Sequence, residues 1–428
     1  MPVESALLAG LVLPGAEGHA EASMAELARL VESAGGSVVG TLLQARRSPD
    51  PATYIGSGKV GLLKEKAAAA GATLVVFDDE LRPGQQRNLE DALELKVLDR
   101  TQLILDVFAS RASTNEGRLQ VELAQLSYLL PRLVGFGKTL SRLGGGIGTR
   151  GPGESKLEAD RRRLRDRIAQ LGREIDGVSR ARSLQRQRRR RKRARVAALA
   201  GYTNAGKSSL FNALTQAEVY VEDRLFATLD PTVRPLPLGG AASGDLLLVD
   251  TVGFVRKLPH DLVAAFRATL EEVAEADLVL RVVDCSDPGW PRQLEAVDEV
   301  LAEVYRLFLP GQPGPEAWLV FNKADLLGPA ALKALKAAHP GAHCVSALEG
   351  SGLEGLKRAL ARRLEQGLSR ASYLIPHAAM GELSRLLGRM RVLKQRWTAQ
   401  GLRLEAVVGE GMEALEPYRK GTVKEDEP

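Results

Sequence analysis

Four short stretches, in a fixed order along one half of the chain, carry residue types suited to nucleotide chemistry: Gly201-Tyr202-Thr203-Asn204-Ala205-Gly206-Lys207-Ser208, Asp250-Thr251-Val252-Gly253, Asn322-Lys323-Ala324-Asp325 and Ser346-Ala347-Leu348. The first lies between residues 196–200, an apolar run of strand length, and residues 209–214, which have the makings of a helix. A glycine-rich turn in that setting reads as a phosphate loop rather than a chance match. Its backbone N–H groups and the helix N-terminus would face the phosphates, with Lys207 placed for the β and γ oxygens and Ser208 for Mg²⁺.

The second stretch closes the continuous apolar run 246–249, of the kind buried on both faces of a parallel sheet. Asp250 at its end can reach a Mg²⁺-bound water, and Gly253 leaves room for the γ-phosphate to meet a backbone N–H. The third stretch follows the apolar run 317–321 and selects the base. Asp325 can accept two hydrogen bonds from guanine's ring N–H and exocyclic amino group, whereas adenine would leave it partly unpaired at a cost of about 1–3 kcal/mol. Ser346 and Ala347 would close over the base with backbone N–H groups. The four stretches together describe a site for GTP and GDP, with Lys207 and Gly253 as its catalytic members.

Between the first two stretches, Phe226-Ala227-Thr228-Leu229-Asp230-Pro231-Thr232 forms a candidate switch loop, in which spacing alone leaves Thr228 and Thr232 equally able to sense Mg²⁺ and the γ-phosphate. In Ras-like enzymes a Gln that orients the attacking water follows the Asp-x-x-Gly glycine. That place holds Phe254, which neither donates nor accepts, so slow intrinsic hydrolysis is expected. The amide oxygen of Asn204 suits either a monovalent cation such as K⁺ beside the phosphates or simple stabilisation of the turn.

These stretches need a scaffold. At 428 residues the chain is too long for one core, and the order of apolar runs predicts α/β architecture in several units. Residues 1–110 alternate strand-like segments (7–13, 37–42, 74–77, 96–99) with helix-like ones (24–34, 59–70, 85–95), giving a small α/β unit. Residues 111–195 form a helical hairpin: Leu119, Leu123, Leu126, Leu130 and Leu133 repeat at coiled-coil spacing, and the beat returns at Leu164, Ile168, Leu171, Ile175 and Val178. Residues 196–366 form the nucleotide domain, a parallel sheet with helices on both faces. Residues 370–428 form a small α+β domain with a helix near 380–390, an alternating strand at 402–406 and a disordered tail.

Two further glycine clusters fail as nucleotide sites. Gly56-Ser57-Gly58-Lys59 lacks the upstream glycine, its place being taken by Thr53, and reads as a turn opening a helix. Gly146, Gly148 and Gly151 spell G-x-G-x-x-G, but a helix rather than a strand precedes them. This glycine-rich tip, with Arg142, Gly144, Gly145 and Arg150 beside it, suits backbone and phosphate contacts to RNA; a solvated loop is the alternative.

Charge supports the RNA reading. Residues 138–195 hold 20 Lys and Arg against 6 Asp and Glu, a local +14 within a chain of formal net charge +6, so the remainder carries −8. Eight positive charges between residues 186 and 195 repel one another unless an anion is near, although the same run also links two domains. No apolar run approaches 18 residues and no leader is apparent, so a cytoplasmic protein without a membrane span is expected. Cys285 and Cys344 lie in or beside apolar strands without metal-ligand company.

The combination resembles the HflX family of ribosome-associated GTPases over residues 5–410. The resemblance is carried by Tyr54-Ile55-Gly56-Ser57-Gly58-Lys59, Gln85-Gln86-Arg87-Asn88-Leu89, Gln120-Val121-Glu122-Leu123-Ala124-Gln125-Leu126, the phosphate loop, and above all the run from Ser141 through Gly144-Gly145-Gly146-Ile147-Gly148-Thr149-Arg150-Gly151 to Glu154. It implies a monomer that docks on the large ribosomal subunit when GTP-bound, with Gly144 to Gly153 near the peptidyl-transferase region. It also implies splitting of stalled or idle ribosomes under heat or antibiotic stress, and hydrolysis stimulated by the ribosome. By the same resemblance Phe226, Ala227, Thr228, Leu229 and Asp230 contact the nucleotide, and Thr228 joins Ser208 as a Mg²⁺ ligand and counts with Lys207 and Gly253 as catalytic. A GTP-switched assembly or hibernation factor, and an ATP-driven RNA helicase in the N-terminal unit, are the competing readings.

Overall fold

Four short runs rich in Val, Leu and Ala build a first sheet from β1 (Ser5–Val12), β2 (Ser37–Ala45), β3 (Leu74–Phe77) and β4 (Lys96–Asp99), all parallel in the order β2-β1-β3-β4. Parallel neighbours need crossovers, and α1 (Glu17–Ser33), α2 (Ser57–Ala69) and α3 (Pro83–Leu93) supply them. Alternate residues of the strands feed two cores: Leu8, Leu27, Leu30 and Val76 on one side, Leu7, Leu63, Phe77 and Leu89 on the other. The computed structural model describes residues 3–15, 17–133, 152–191, 195–216, 225–226, 231–238, 246–257, 267–365, 369–381, 391–408 and 413–422.

One helix was not expected from the sequence. α4 (Arg100–Arg111) starts where the Asp99 carboxylate accepts from the Gln102 N–H, and it buries Leu103, Ile104, Leu105, Val107 and Phe108. Its exposed stripe is narrow, Asp106, Ala109 and Ser110 with Gln102 half-buried, so the apolar residues form a nearly continuous run instead of a clear helical beat.

α5 (Asn115–Arg132) and α6 (Pro152–Arg191) pack side by side, and Arg167 Nε and Nη2 donate to the two Glu122 carboxylate oxygens at 2.8 and 2.9 Å. On α6 the expected stripe is the covered one, with Leu171 fully buried. On α5 the buried residues are Glu116, Gly117, Leu119, Gln120, Val121, Ala124 and Tyr128, so of the expected repeat Leu119 is buried while Leu123, Leu126, Leu130 and Leu133 are half-buried. This helix also packs against α3 and α4, so its best-buried face is rotated away from the leucine seam toward the α/β unit.

The second sheet contains β5 (Arg195–Gly201), β6 (Thr232–Pro235), β7 (Leu246–Asp250), β8 (Leu278–Asp284), β9 (Glu316–Asn322) and β10 (His343–Cys344) in the order β10-β9-β8-β5-β7-β6. All neighbours are parallel except β6, an antiparallel edge on β7. α7 (Lys207–Thr215) and α11 (Leu353–Glu365) cover one face through Phe211 and Leu356; α8 (Arg267–Ala274) and α9 (Trp290–Phe308) cover the other through Val273 and Leu301. α10 (Pro329–Ala338) flanks β9 and β10. A third, antiparallel sheet orders β11 (Ser369–Ile375), β12 (Arg391–Thr398), β13 (Gly401–Val408) and β14 (Arg419–Thr422) as β12-β13-β11-β14, and Leu402, Leu404 and Ala406 alternate inward as the pattern requires. The helix expected near 380–390 lies outside the described residues from 382 onward, as does the tail at 424–428.

The α/β unit and the nucleotide domain share a core. Phe108 of α4 meets Phe226 edge-on with ring centroids 4.5 Å apart, and Phe254 and Val255 join the same cluster. Beside it runs a polar network: buried Arg100 donates to Asp78 at 2.8 Å and to Glu26, Lys257 Nζ lies 2.8 Å from the second Asp78 oxygen, and the Tyr202 hydroxyl donates to Glu26 at 2.6 Å. Burial pushes the Asp78 carboxyl up, but Arg100 and Lys257 outweigh it and hold the group below the usual carboxylate range.

Asp78→Asn is therefore expected to cost about 3–5 kcal/mol, because among the described residues it leaves buried Arg100 with Glu26 as its one remaining carboxylate, while Lys257 keeps Asp79. Asp78 is depressed in the folded state, so its contribution is present above its unfolded pKa of 3.8 and is lost as pH falls through the lower folded value. Urea unfolding at neutral pH should show the full difference between wild type and variant, and the gap should narrow in strong acid.

Candidate nucleotide site

β5 delivers the chain into a turn in which Asn204 (φ 61°) and Gly206 (φ 81°) are left-handed, and α7 begins at once with Lys207. Such turns direct successive N–H groups into a concavity suited to an anion. Gly206 has no substitute there: a Cβ would lie 2.3 Å from Asn322 Nδ2. Lys207 is buried, with Nζ donating to Gly201 O at 3.1 Å and Tyr202 O at 2.8 Å. Burial pushes its ammonium down to about 8 against the opposing pull of Asp250.

At the end of β7, fully buried Asp250 accepts from the Ser208 hydroxyl at 2.7 Å. A hydroxyl and a carboxylate side by side at a phosphate loop fit Mg²⁺, which takes few protein ligands and completes its shell with phosphate oxygens and water. Among the described residues no cluster of three or more His, Cys, Asp or Glu could hold a metal elsewhere.

The chain after Asp250 turns most of its side chains away from the loop. Thr251 donates its hydroxyl to Leu199 O at 2.6 Å, a strut between β7 and β5, and Val252 enters the core. Gly253 sits against the phosphate loop, where a Cβ would lie 2.8 Å from Thr203 Cγ2 and 3.1 Å from Lys207 Nζ. Phe254 then bridges the loop through its backbone, its N–H donating to Gly201 O at 3.1 Å and its carbonyl accepting from Thr203 N at 2.8 Å. Its ring is wholly buried in the core shared with α4, so in this arrangement it offers a reacting water nothing.

The base-reading residues converge from β9 and the loop after β10. Asn322 Nδ2 donates to Ala205 O at 3.0 Å and to Gly206 O at 3.3 Å, while its Oδ1 accepts from Ala347 N at 3.1 Å. One amide thus ties the phosphate loop to the Ser346-Ala347 turn. Ala324 is buried and its N–H donates to Val345 O, which fixes the single helical turn that carries Asp325. Asp325 Oδ1 is buried and has no hydrogen-bond partner among the described residues, an acceptor of the kind guanine's N–H groups would satisfy. Ser346 is fully buried, its hydroxyl accepting from Glu349 N; the Leu348 side chain is 88% exposed.

The structure therefore brings Gly201 to Ser208, Asp250, Gly253, Asn322 to Asp325, Ser346 and Ala347 to one end of one sheet. Phe226, with φ 58°, places its ring against Phe108 in the shared core. Ala227, Thr228, Leu229 and Asp230 lie outside the described residues, as do Arg142, Gly144, Gly145, Gly146, Gly148, Arg150 and Gly151. Thr232 opens β6 and pairs with Asp250 along the backbone. Sequence reasoning missed Glu26, Asp78, Arg100 and Lys257, which join the phosphate loop's Tyr202 and the segment after Phe254 to the α/β unit. Asp78 and Arg100 follow the carboxyl ends of β3 and β4, where open parallel sheets place functional groups; that position was the available signal.

A lysine-bearing phosphate loop facing a strand-end carboxylate, with a base-reading strand two places along the sheet, defines a phosphate-loop GTPase domain. Family models extend this toward the N-terminus: "GTP-binding GTPase N-terminal" matches residues 21–109, "GTP-binding GTPase Middle Region" residues 111–189 and "50S ribosome-binding GTPase" residues 196–323. The chain is 45% identical to the GTPase HflX of Caldanaerobacter subterraneus across 91% of its own length and 88% of that protein's. It is 43% identical to the GTPase HflX of Escherichia coli across 87% and 86%, respectively. A crystal structure of a GTP-binding protein from Sulfolobus solfataricus in complex with GDP matches at 25% identity and a TM-score of 0.41, covering 85% of this chain and 99% of that one. The chain belongs to the HflX family, and it is a GTPase, converting GTP to GDP and phosphate.

Gly206→Ala combines left-handed strain with a clash on Asn322, and GDP affinity is expected to fall on the order of 100-fold. A fluorescence titration checks this, with circular dichroism to show that the fold persists.

Proposed function

We propose that this GTPase binds the large ribosomal subunit in its GTP form and splits stalled or idle ribosomes into subunits, and that the ribosome stimulates the hydrolysis that releases it. The observation that carries this reading is Phe254. The position that orients the attacking water in Ras-like enzymes is an aromatic ring buried in a domain-spanning core, so efficient hydrolysis needs a group from outside. The local +14 of residues 138–195 suits a large RNA as the source of that partner. The glycine-rich tip, with Arg142, Gly144, Gly145, Gly146, Gly148, Arg150 and Gly151, is the element proposed to touch ribosomal RNA.

Within the site, the phosphate-loop N–H groups and Lys207 hold the phosphates, Asp325 reads guanine, and Gly253 lets the following backbone approach the γ-phosphate. Ser208 and Thr228 would hold Mg²⁺, which neutralises charge on the β and γ oxygens when bound. Asn204, exposed and left-handed, is the residue through which K⁺ would be held, if K⁺ takes part. A monomer working in the cytoplasm under heat or antibiotic stress completes the proposal; among the described residues no helix is long and apolar enough to cross a membrane.

Steady-state GTP hydrolysis by the purified chain should be slow and should rise by about 10³-fold or more on adding large subunits. Sedimentation of the same mixtures should show loss of the intact-ribosome peak. Association with particles without a change in the peak ratio would instead favour a factor that holds the subunit, and fast hydrolysis without ribosomes would remove the need for an outside group.

A further inference from the structure

Asp284 at the end of β8 and Cys285 just beyond it grip the base-reading segment, and Ser286 braces Asp284. β8 ends at Asp284, whose carboxylate lies 2.6 Å from Lys323 Nζ in a pair with side chains 15% and 28% exposed. The same carboxylate accepts from the Ser286 N–H at 2.9 Å and the Ser286 hydroxyl at 2.5 Å. Burial pushes Asp284 up, but Ser286 and Lys323 outweigh it and keep the group below the usual carboxylate range. Between them, buried Cys285 donates both its thiol, at 3.0 Å, and its backbone N–H, at 3.1 Å, to Asn322 O.

Lys323 needs this support. Its backbone is left-handed at φ 60°, a conformation that a lysine rarely adopts unless its surroundings impose it. The turn there swings the chain from β9 into the helical turn of Asp325. The lysine stem passes the phosphate loop, with Cε 3.9 Å from where a Gly206 Cβ would sit. Lys323 therefore stands at the seam between the phosphate-binding and base-reading halves, and Asp284 anchors its free end.

We propose that Asp284 is a positioning residue for the nucleotide: by holding the Lys323 ammonium it fixes the left-handed turn that aims Asp325, and so sets how long guanine nucleotide is retained. The inference rests on the reading of Asn322-Lys323-Ala324-Asp325 as the base-reading segment. An ion pair that only fastened β8 to β9 would affect thermal stability and leave nucleotide release unchanged.

Release of a fluorescent GDP analogue from the full-length chain, followed by stopped flow beside thermal melting, separates the two. Asp284→Asn should speed release about tenfold, the scale of one charge-assisted hydrogen bond. Lys323→Met should act similarly, and the double variant should release no faster than the faster single variant, because the two side chains act as one unit. Asp284→Glu should restore part of the retention. Unchanged release in Asp284→Asn, or effects that multiply in the double variant, would overturn the proposal. Asp325→Asn distinguishes its failure from that of the underlying reading: if this variant keeps GDP normally, the base-reading assignment falls and the positioning role with it. If Asp325→Asn loses GDP while Asp284→Asn does not, only the positioning role falls. Should Asp284→Asn not fold, Ser286→Ala, which removes one donor to the same carboxylate, should still speed release about threefold, and no change there would count against the proposal.

Discussion

A single carboxylate, Asp78, is shared by Arg100, Lys257 and the Ser23 hydroxyl, and it is nearly sealed from water. Two of those partners belong to the α/β unit and the third comes from the nucleotide domain just after Phe254. A buried charge of this kind is tolerated only when its partners are all in place, so the arrangement of one domain is a condition for the electrostatics of the other. Glu26 repeats the device: it takes Arg100 on one oxygen and the Tyr202 hydroxyl on the other. Tyr202 belongs to the phosphate loop, and its hydroxyl also accepts the Arg256 N–H at 2.9 Å. The loop, the segment after Gly253 and helix α1 therefore meet at one phenol.

The nucleotide site itself combines opposing demands. Lys207 is buried, and burial depresses its pKa and disfavours the charged form, although its Nζ donates to two backbone carbonyls and Asp250 pulls the other way. Phosphate oxygens would restore the preference for charge, so the desolvation borne by the protein alone becomes affinity when a polyanion enters. Asn322 does the reverse: its amide is fully engaged by Ala205, Gly206 and Ala347, and it serves as a rigid joint and not as a waiting ligand.

The four nucleotide stretches were legible because each is contiguous and each sits at a strand end, so residue type and local period were enough. The bounds of β3 and β4 were likewise readable from their apolar runs. α4 was not, since its exposed stripe at Asp106, Ala109 and Ser110 is narrow and leaves a nearly continuous apolar run, and on α5 the leucine repeat reports only one of two packed faces. The network around Asp78 and Glu26 lay beyond reach for another reason: Arg100 is 22 residues from Asp78, Tyr202 is 176 from Glu26 and Lys257 is 179 from Asp78. No local pattern marks such pairs. Phe254 stands out in the sequence for what it lacks, whereas its contribution to packing depends on a core shared with α4 that no local pattern marks.

Phe108, Phe226 and Phe254 close the seam between the two domains from opposite sides. A fragment starting at β5 would retain every residue that recognises nucleotide and yet present two aromatic rings, with Val255 beside them, to water. Such a fragment would carry a contiguous adhesive patch, which in the full chain the preceding strands and helices keep from water.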